Sequence, residues 1–386
     1  MKVAFFSNYL NHHQLSFCKA MDRLTDHQFI FAAFTPTPGF RRQLGYQEMN
    51  DKYPFVLKVY DNTENMDAAI AVAASYDLLI LGSAPEFFVK YRMKKNLLTL
   101  IYSERLYRGS IIYAFSPRGM IHRFRTHTIY ARKKLYLLCS SAYTAFDYML
   151  SGAYIGKAYK WGYFPQYIEY DLNELWRKKQ RHSVLWVGRL INLKHPEQAL
   201  RVADKLIRAG FQFNMNIIGS GDMKEELELM IRNKQMGNYV HLLGNMKPDE
   251  VRSYMETTEV FLFTSDFHEG WGAVLNEAMN SGCAVIASHA IGSVPYLIDD
   301  GKNGLIYKNG DVNQLFILTK KLLENSEICQ KMGEMAYKTI SEKWNAETAA
   351  KRMITLAEDL QNKGNCTQYK DGPCSHAKII NNWWYK

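Results

Sequence analysis

Short apolar runs alternate along the chain with longer segments whose apolar positions recur at helical spacing. Lys2–Ser7 (KVAFFS), Gln28–Phe34 (QFIFAAF), Asp77–Ser83, Leu98–Glu104 and Leu135–Ser141 have the length and composition of buried strands. Between them, Leu15–Leu24 (LSFCKAMDRL) and Met66–Ser75 read as helices. The pattern halts near Trp161-Gly162-Tyr163-Phe164-Pro165, and a polar, charged stretch follows to His182. It then restarts. Strands are expected over 182–188, 213–221, 239–244, 260–263, 284–288 and 305–311, with helices over 196–210, 222–235 and onward to about residue 362. Strands alternating with helices dictate parallel sheets covered on both faces. The expectation is an α/β protein of two Rossmann-like, doubly wound domains, 1–165 and 182–345, joined by a linker over 166–181. A terminal helix at 346–362, with a return to the first domain as one option, and a polar, loosely ordered tail at 363–386 complete the chain. Sheets of this kind bind ligands at their strand C-terminal ends, here expected to face a central cleft.

A length of 386 residues fits two domains better than one core. An apolar content of 47% with 22% charged residues describes a soluble globular chain. No apolar run reaches the roughly 18 residues of a spanning helix. The opening MKVAFFSNYLNHHQ breaks at Ser7-Asn8, too soon for a signal peptide. Six cysteines without CxxC pairs or regular spacing point to a reducing, cytoplasmic compartment. Charge changes the picture more. The net +10 is concentrated between Lys90 and Lys134, where twelve Lys or Arg face a single acid, Glu104. A solvated face without a partner is one reading and nucleic acid another, although no zinc-finger, basic-zipper or RNP signature supports the latter. The preferred reading is an anionic membrane surface or a diphosphate-bearing lipid, since each cation near such a surface adds about 1 kcal/mol. That would make the protein peripheral on the inner face of the cell membrane.

Candidate chemistry lies in FHEGWGAVLNEAMNSG, Phe267 to Gly282, which reads strand, loop, helix. Glu269 falls in the loop and Glu277 in the helix, on the order of 10 Å apart at 1.5 Å per helical residue. That exceeds the ~5–9.5 Å of paired glycosidase carboxylates. A ligand touching both must be long. The N–H groups of residues 272–274 would form an anion site between them. A nucleotide-sugar, with hydroxyls at each end and phosphate in the middle, suits this arrangement. Arg189 and Lys194, in VGRLINLKHPEQAL, emerge after a strand and would grip the diphosphate. With neither an Asp-x-Asp pair nor a His/Cys cluster at ligand spacing, no metal is expected. The bland alternatives are ordinary loop charges for Arg189 and Lys194 and a solvated helix-face residue for Glu277.

VGRLINLKHPEQAL, NIIGSGD, HLLGN and HEGWGAVLNEAMNSGCAVIASHAIGSVPYLIDDGKNGLIY together resemble the donor half of the retaining GT-B glycosyltransferases of family 4 (glycosyltransferase group 1), of the bacterial surface-polysaccharide type. The likeness runs from about residue 183 to 311 and is weaker through LLCSSAYTAFDYMLSGA and KWGYFPQ. It implies a GT-B fold and a set of roles. Glu269 and the backbone of Gly270, Trp271 and Gly272 would meet donor-sugar hydroxyls, and the amides of Ala273 and Val274 a phosphate. Glu277 would take the ribose diol, and Arg189 and Lys194, after Gly188, the diphosphate. Gly219 would permit close approach of the nucleotide, while Leu243 and Gly244 flank the base. The family's usual glycine-rich first loop is absent. SNYLNHHQ stands in its place and brings His12 or His13 to the acceptor side, with a structural hydrogen-bonding role as the alternative. Glu104 occupies the position where members often place a catalytic histidine or acid; a salt bridge to Arg105 or Arg108 is its other reading. The implied activity is metal- and cofactor-independent transfer of a hexosyl or N-acetylhexosaminyl group from a UDP-sugar, or another nucleoside diphosphate sugar, to a lipid-linked or growing surface saccharide. A nucleotide-sugar epimerase of the same build and a non-catalytic membrane- or nucleic-acid-binding protein are the rivals.

Overall fold

Apolar runs pair into two all-parallel sheets in the computed structural model, which describes residues 1–26, 28–39 and 48–386. Contacts divide the chain into two units, Met1–Gln166 with Trp344–Asn381, and Tyr167–Lys343 with Asn382–Lys386. The first unit is built on β1 (Val3–Ser7), α1 (His12–Leu24), β2 (Phe29–Ala33), β3 (Val56–Lys58), α2 (Thr63–Ser75), β4 (Leu78–Leu81), α3 (Phe87–Lys94), β5 (Thr99–Ser103), α4 (Pro117–Thr126), β6 (Leu135–Cys139), α5 (Thr144–Met149) and β7 (Ala158–Lys160). Its strand order is β3-β2-β1-β4-β5-β6-β7. Both faces of β1 and β4 are buried, as parallel strands sandwiched between helices require.

Capping moves one boundary. The Asn11 side chain accepts hydrogen bonds from the His13 and Gln14 amides, so α1 starts at His12, three residues before the apolar spacing begins. Burial corrects the charge reading. Arg92, fully buried, donates to the carbonyls of Ala73 (2.7 Å), Tyr76 (3.0 Å) and Leu98 (2.6 Å) and to Thr99 Oγ1 (3.0 Å). Desolvation lowers its pKa to about 10. Arg105 lies 3.6 Å from the buried Asp147, and Arg123 donates to the Ala114 carbonyl. Three of the twelve cations between residues 90 and 134 therefore tie the interior together and add nothing to a basic surface.

The second unit contains α6 (Leu172–Arg177), β8 (Gln180–Val187), α7 (Pro196–Arg208), β9 (Asn214–Ile218), α8 (Lys224–Asn233), β10 (Val240–Gly244), α9 (Pro248–Thr257), β11 (Thr258–Phe263), α10 (Val274–Asn280), β12 (Ala284–Ser288), α11 (Val294–Leu297), β13 (Leu305–Tyr307), α12 (Val312–Glu324) and α13 (Ser326–Lys338). Its order is β10-β9-β8-β11-β12-β13, so the winding reverses between β8 and β11. The stretch expected as a linker is structured. Asp171 caps α6, Leu175 is buried, and the Lys179 ammonium is buried against the carbonyls of Met255 (2.8 Å) and Ser281 (2.7 Å).

The last helix, α14 (Ala346–Asn362), carries its apolar stripe on Ala349, Ala350, Met353, Leu356, Ala357 and Leu360 and packs in the first unit against α1. The polar tail is not loose. Lys160 N donates to Ser375 O (2.7 Å) and Cys374 N to Lys160 O (2.8 Å), so the tail covers the outer edge of β7. The terminal residues join the second unit, where the Tyr385 hydroxyl donates to the Ile306 carbonyl (2.7 Å).

Candidate functional site

Three adjacent strands of the second unit end on glycines whose backbones interlock. Gly188, just after β8, donates to the Ile218 carbonyl (3.0 Å), and Gly219, after β9, donates to the Gly244 carbonyl (2.8 Å). At Gly219 φ is +147°, and an added Cβ would stand 1.8 Å from the Gly188 oxygen. The chain itself demands this glycine. Sequence reasoning reserved it for a nucleotide, yet the neighbouring loop accounts for its missing side chain. Leu243 sits where the β9–β10 register shifts, and Gly244 follows at φ +75°.

Beyond Gly188 the chain passes the exposed Arg189 and enters a single 3₁₀ turn, Asn192–Lys194. His195 then adopts a left-handed conformation (φ +50°) immediately before Pro196 opens α7. A proline disfavours a right-handed conformation in the residue before it, and a left-handed non-glycine residue costs of order 1–3 kcal/mol unless its surroundings fix it. Here they do. The Thr264 hydroxyl, just past β11, donates to the Lys194 carbonyl (2.7 Å), with the His195 carbonyl at 3.0 Å, and accepts from the Trp186 indole (2.8 Å). The His195 ring bridges two carboxylates, Nδ1 to Glu197 (3.0 Å) and Nε2 to Asp266 (3.2 Å). Hydrogen bonds to Asp266 first and Glu197 second raise the imidazole pKa to about 9 against the opposing effect of burial. The Asp266 carboxyl falls below its ordinary value: burial alone would raise it, but its bonds to His195 and to the His268 amide and ring outweigh that. These contacts clamp the loop after β8 to the loop after β11, the two strands that flank the switch point.

The clamp aims Lys194. Its ammonium pairs with the Glu269 carboxylate, to which the Ser265 hydroxyl also donates (3.2 Å), and stands 5.8 Å from the centre of the Phe263 ring. Both members of the pair are mostly covered, at 15% and 14% exposed. Gly272 (φ +80°) leaves room for Phe263, since a Cβ there would approach the ring to 2.3 Å. Trp271 is buried beside the buried Gly270, with its indole donating to Asn276 Oδ1 (2.9 Å). No side chain caps α10 at Ala273, whose next residue, Val274, begins the helix. Glu277 is partly buried on α10. Desolvation pushes its carboxyl above the ordinary range, and Arg252, whose Nη1 donates to the Glu277 carbonyl (3.0 Å), opposes that shift. The structure thus joins Lys194 to Glu269 and gives Glu277 a separate cationic neighbour.

In the first unit His13 and Glu104 meet through a residue that sequence reasoning passed over. The His13 ring stacks on Tyr163 (5.1 Å between centroids, 12° between planes), and the Tyr163 hydroxyl donates to the Glu104 carboxylate. His12 lies against His13 at 3.6 Å. Glu104 also pairs with Arg108, whereas Arg105 turns to Asp147, so the salt-bridge reading of Glu104 is realised with one of its two proposed partners. Tyr163 and His195 were both missed. The signals were present in WGYFPQ, an aromatic run at a domain end, and in LKHPE, a histidine followed by a proline and an acid.

Two doubly wound parallel sheets are the architecture of the GT-B class of glycosyltransferase folds. Residues 171–339, somewhat under half of the chain, match the family model for glycosyl transferases group 1. Among curated relatives, the chain is 25% identical over 190 residues to alpha-D-kanosaminyltransferase of Streptomyces kanamyceticus, covering 49% of each chain. It is 32% identical over 173 residues to the sulfoquinovosyl transferase SQD2 of Arabidopsis thaliana, covering 44% of this chain and 32% of that protein. The matched segment thus spans about half or less of these relatives' own lengths. Anabaena HepE, solved in complex with UDP, superposes with a TM-score of 0.68 at 15% identity, covering 93% of this chain and 100% of HepE, a likeness of fold.

Proposed function

We propose that this protein is a glycosyltransferase that moves a sugar from a nucleoside diphosphate donor, UDP foremost, to a hydroxyl of a lipid-linked or growing surface saccharide, with retention at the anomeric carbon. The observation that carries the reading is the Lys194–Glu269 pair, clamped at the switch point within the segment that matches the group 1 family. The relatives, a kanosaminyltransferase and a sulfoquinovosyl transferase, and the UDP of the HepE complex support a nucleotide-sugar donor.

In this reading Lys194 and Arg189 hold the diphosphate, and the amides of Ala273 and Val274 reach a phosphate at the uncapped start of α10. Glu269 and the backbone of Gly270, Trp271 and Gly272 take donor-sugar hydroxyls once Lys194 turns to phosphate. Glu277 accepts the ribose diol, and Leu243 and Gly244 flank the base. During transfer the bond from the anomeric carbon to the phosphate oxygen breaks and its electron pair stays on the diphosphate. The acceptor oxygen forms the new bond on the same face and gives its proton to the departing phosphate. Charge therefore grows on the diphosphate, where one well-placed donor is worth about 3–4 kcal/mol of barrier. We assign acceptor recognition to the first unit, through His13, Tyr163 and Glu104.

Product analysis of a UDP-sugar incubated without acceptor tests the class. A transferase releases free sugar and UDP slowly, whereas an epimerase returns a second UDP-sugar. For Lys194→Ala, folded by its melting transition, turnover is expected to fall about 100-fold or more. Undiminished turnover would remove Lys194 from the diphosphate role.

A further inference from the structure

Between Arg105 and Lys134 the first unit turns large apolar residues outward and one arginine, Arg123, inward. Ile112, Tyr113 and Phe115, in the turn before α4, are 74%, 68% and 60% exposed. Met120, Ile121 and Phe124 of α4 are also exposed, while Arg123 on the same helix is buried against the Ala114 carbonyl and the Tyr107 ring. A surface helix ordinarily does the reverse, burying its apolar stripe and showing its charge. Exposed large apolar residues are unremarkable singly, but a contiguous group rimmed by charge marks an interaction surface.

The rim here is predominantly basic, its acids being Glu86, which pairs with His122 of α4 (3.2 Å), and Glu104, which pairs with Arg108. Arg108, Arg118, Arg125, Arg132 and Lys133 are exposed, and no Asp or Glu occurs between Arg105 and Lys134. A second copy of the chain meeting this face across a two-fold axis would set these cations against themselves. Nucleic acid would satisfy the charge but leave the aliphatic side chains in water. A bilayer of anionic lipid satisfies both, with phosphate headgroups for the arginines and the acyl boundary for Ile112, Phe115, Ile121 and Phe124. We infer that the turn at 111–115 and α4 form a membrane-docking element that inserts its apolar face into an anionic bilayer. Of the two parts, the basic charge is legible in the sequence; the outward apolar face is the structural contribution, and it excludes a docking surface that works by charge alone. The inference concerns the first unit only. It stands apart from the donor-site reading, so either can fail without the other.

The test is cosedimentation of the full chain with vesicles of phosphatidylcholine, and with vesicles in which about one third is phosphatidylglycerol. The wild type is expected to bind the anionic vesicles at least about tenfold more strongly than the neutral ones, and Ile121→Ser with Phe124→Ser to cut that binding about tenfold. Arg118→Glu with Arg125→Glu should abolish the preference for anionic lipid. All four positions are exposed, so melting temperatures should hold; if one pair fails to fold, Ile112→Ser with Phe115→Ser replaces it. Equal binding to both vesicle types, or binding to neither, overturns the inference. So does a wild type that self-associates in sedimentation and loses that association, with no change in vesicle binding, when Ile121 and Phe124 are replaced.

Discussion

Lys194 is a cation that must be both available and fixed, and the residues around it show how one chain meets both demands. Its carboxylate partner, Glu269, keeps it from being an unpaired, half-buried charge, while Thr264 and Asp266 hold the carbonyls of its own turn. His195 supplies the remaining rigidity, and its protonation carries a pH signature. The folded-state pKa of about 9 lies above the ordinary imidazole value, so the proton is held more tightly in the folded chain. That contribution is complete below about pH 6.5 and is lost as pH rises through about 9. The melting temperature of the second unit is therefore expected to fall between those values, and His195→Gln to flatten the slope. An identical slope in the variant would remove His195 from the clamp. The Lys194 and Glu269 positions were legible because spacing around glycines carries over from sequence to loop. His195 was not, since a histidine before a proline announces a helix start as readily as an ion pair.

At the scale of elements, the junction of Gly188, Gly219 and Gly244 sets the platform from which Arg189 and Lys194 project. Gly219→Ala forces a side chain into the Gly188 carbonyl at a φ that disfavours it, so a stability loss of about 3 kcal/mol is expected, read from the denaturant midpoint of the second unit. An unchanged midpoint would mean the three loops are not packed as described. Strands and long helices were readable from periodicity because each buries a continuous apolar run or stripe, as β1 and α14 do. The 166–181 segment misled because its polar composition hides a buried lysine satisfied by two carbonyls, something no hydropathy pattern reports. Edge strand β7 escaped notice at three residues, too short to show alternation, and its partner lies more than 200 positions later in the tail.

Across the whole molecule the two units carry different amounts of readable chemistry. The second unit's loops resemble a family pattern, so its fold could be set out from the sequence together with a proposed set of donor-binding residues. The first unit departs from that pattern at its opening loop, and its candidate residues, His13 and Glu104, came together only through Tyr163. Its charge was also overread, because Arg92, Arg105 and Arg123 are interior ties and not parts of a basic face. The second unit consequently carries the central claim, that Lys194, in the 3₁₀ turn that follows β8, anchors a nucleoside diphosphate. Calorimetric titration with UDP tests this most directly. The account predicts one site per chain in the wild type and an affinity weakened by about tenfold to a hundredfold in folded Lys194→Ala, as loss of one charged hydrogen-bonding partner entails. Equal affinity in the two proteins, or no binding to the wild type, would contradict it.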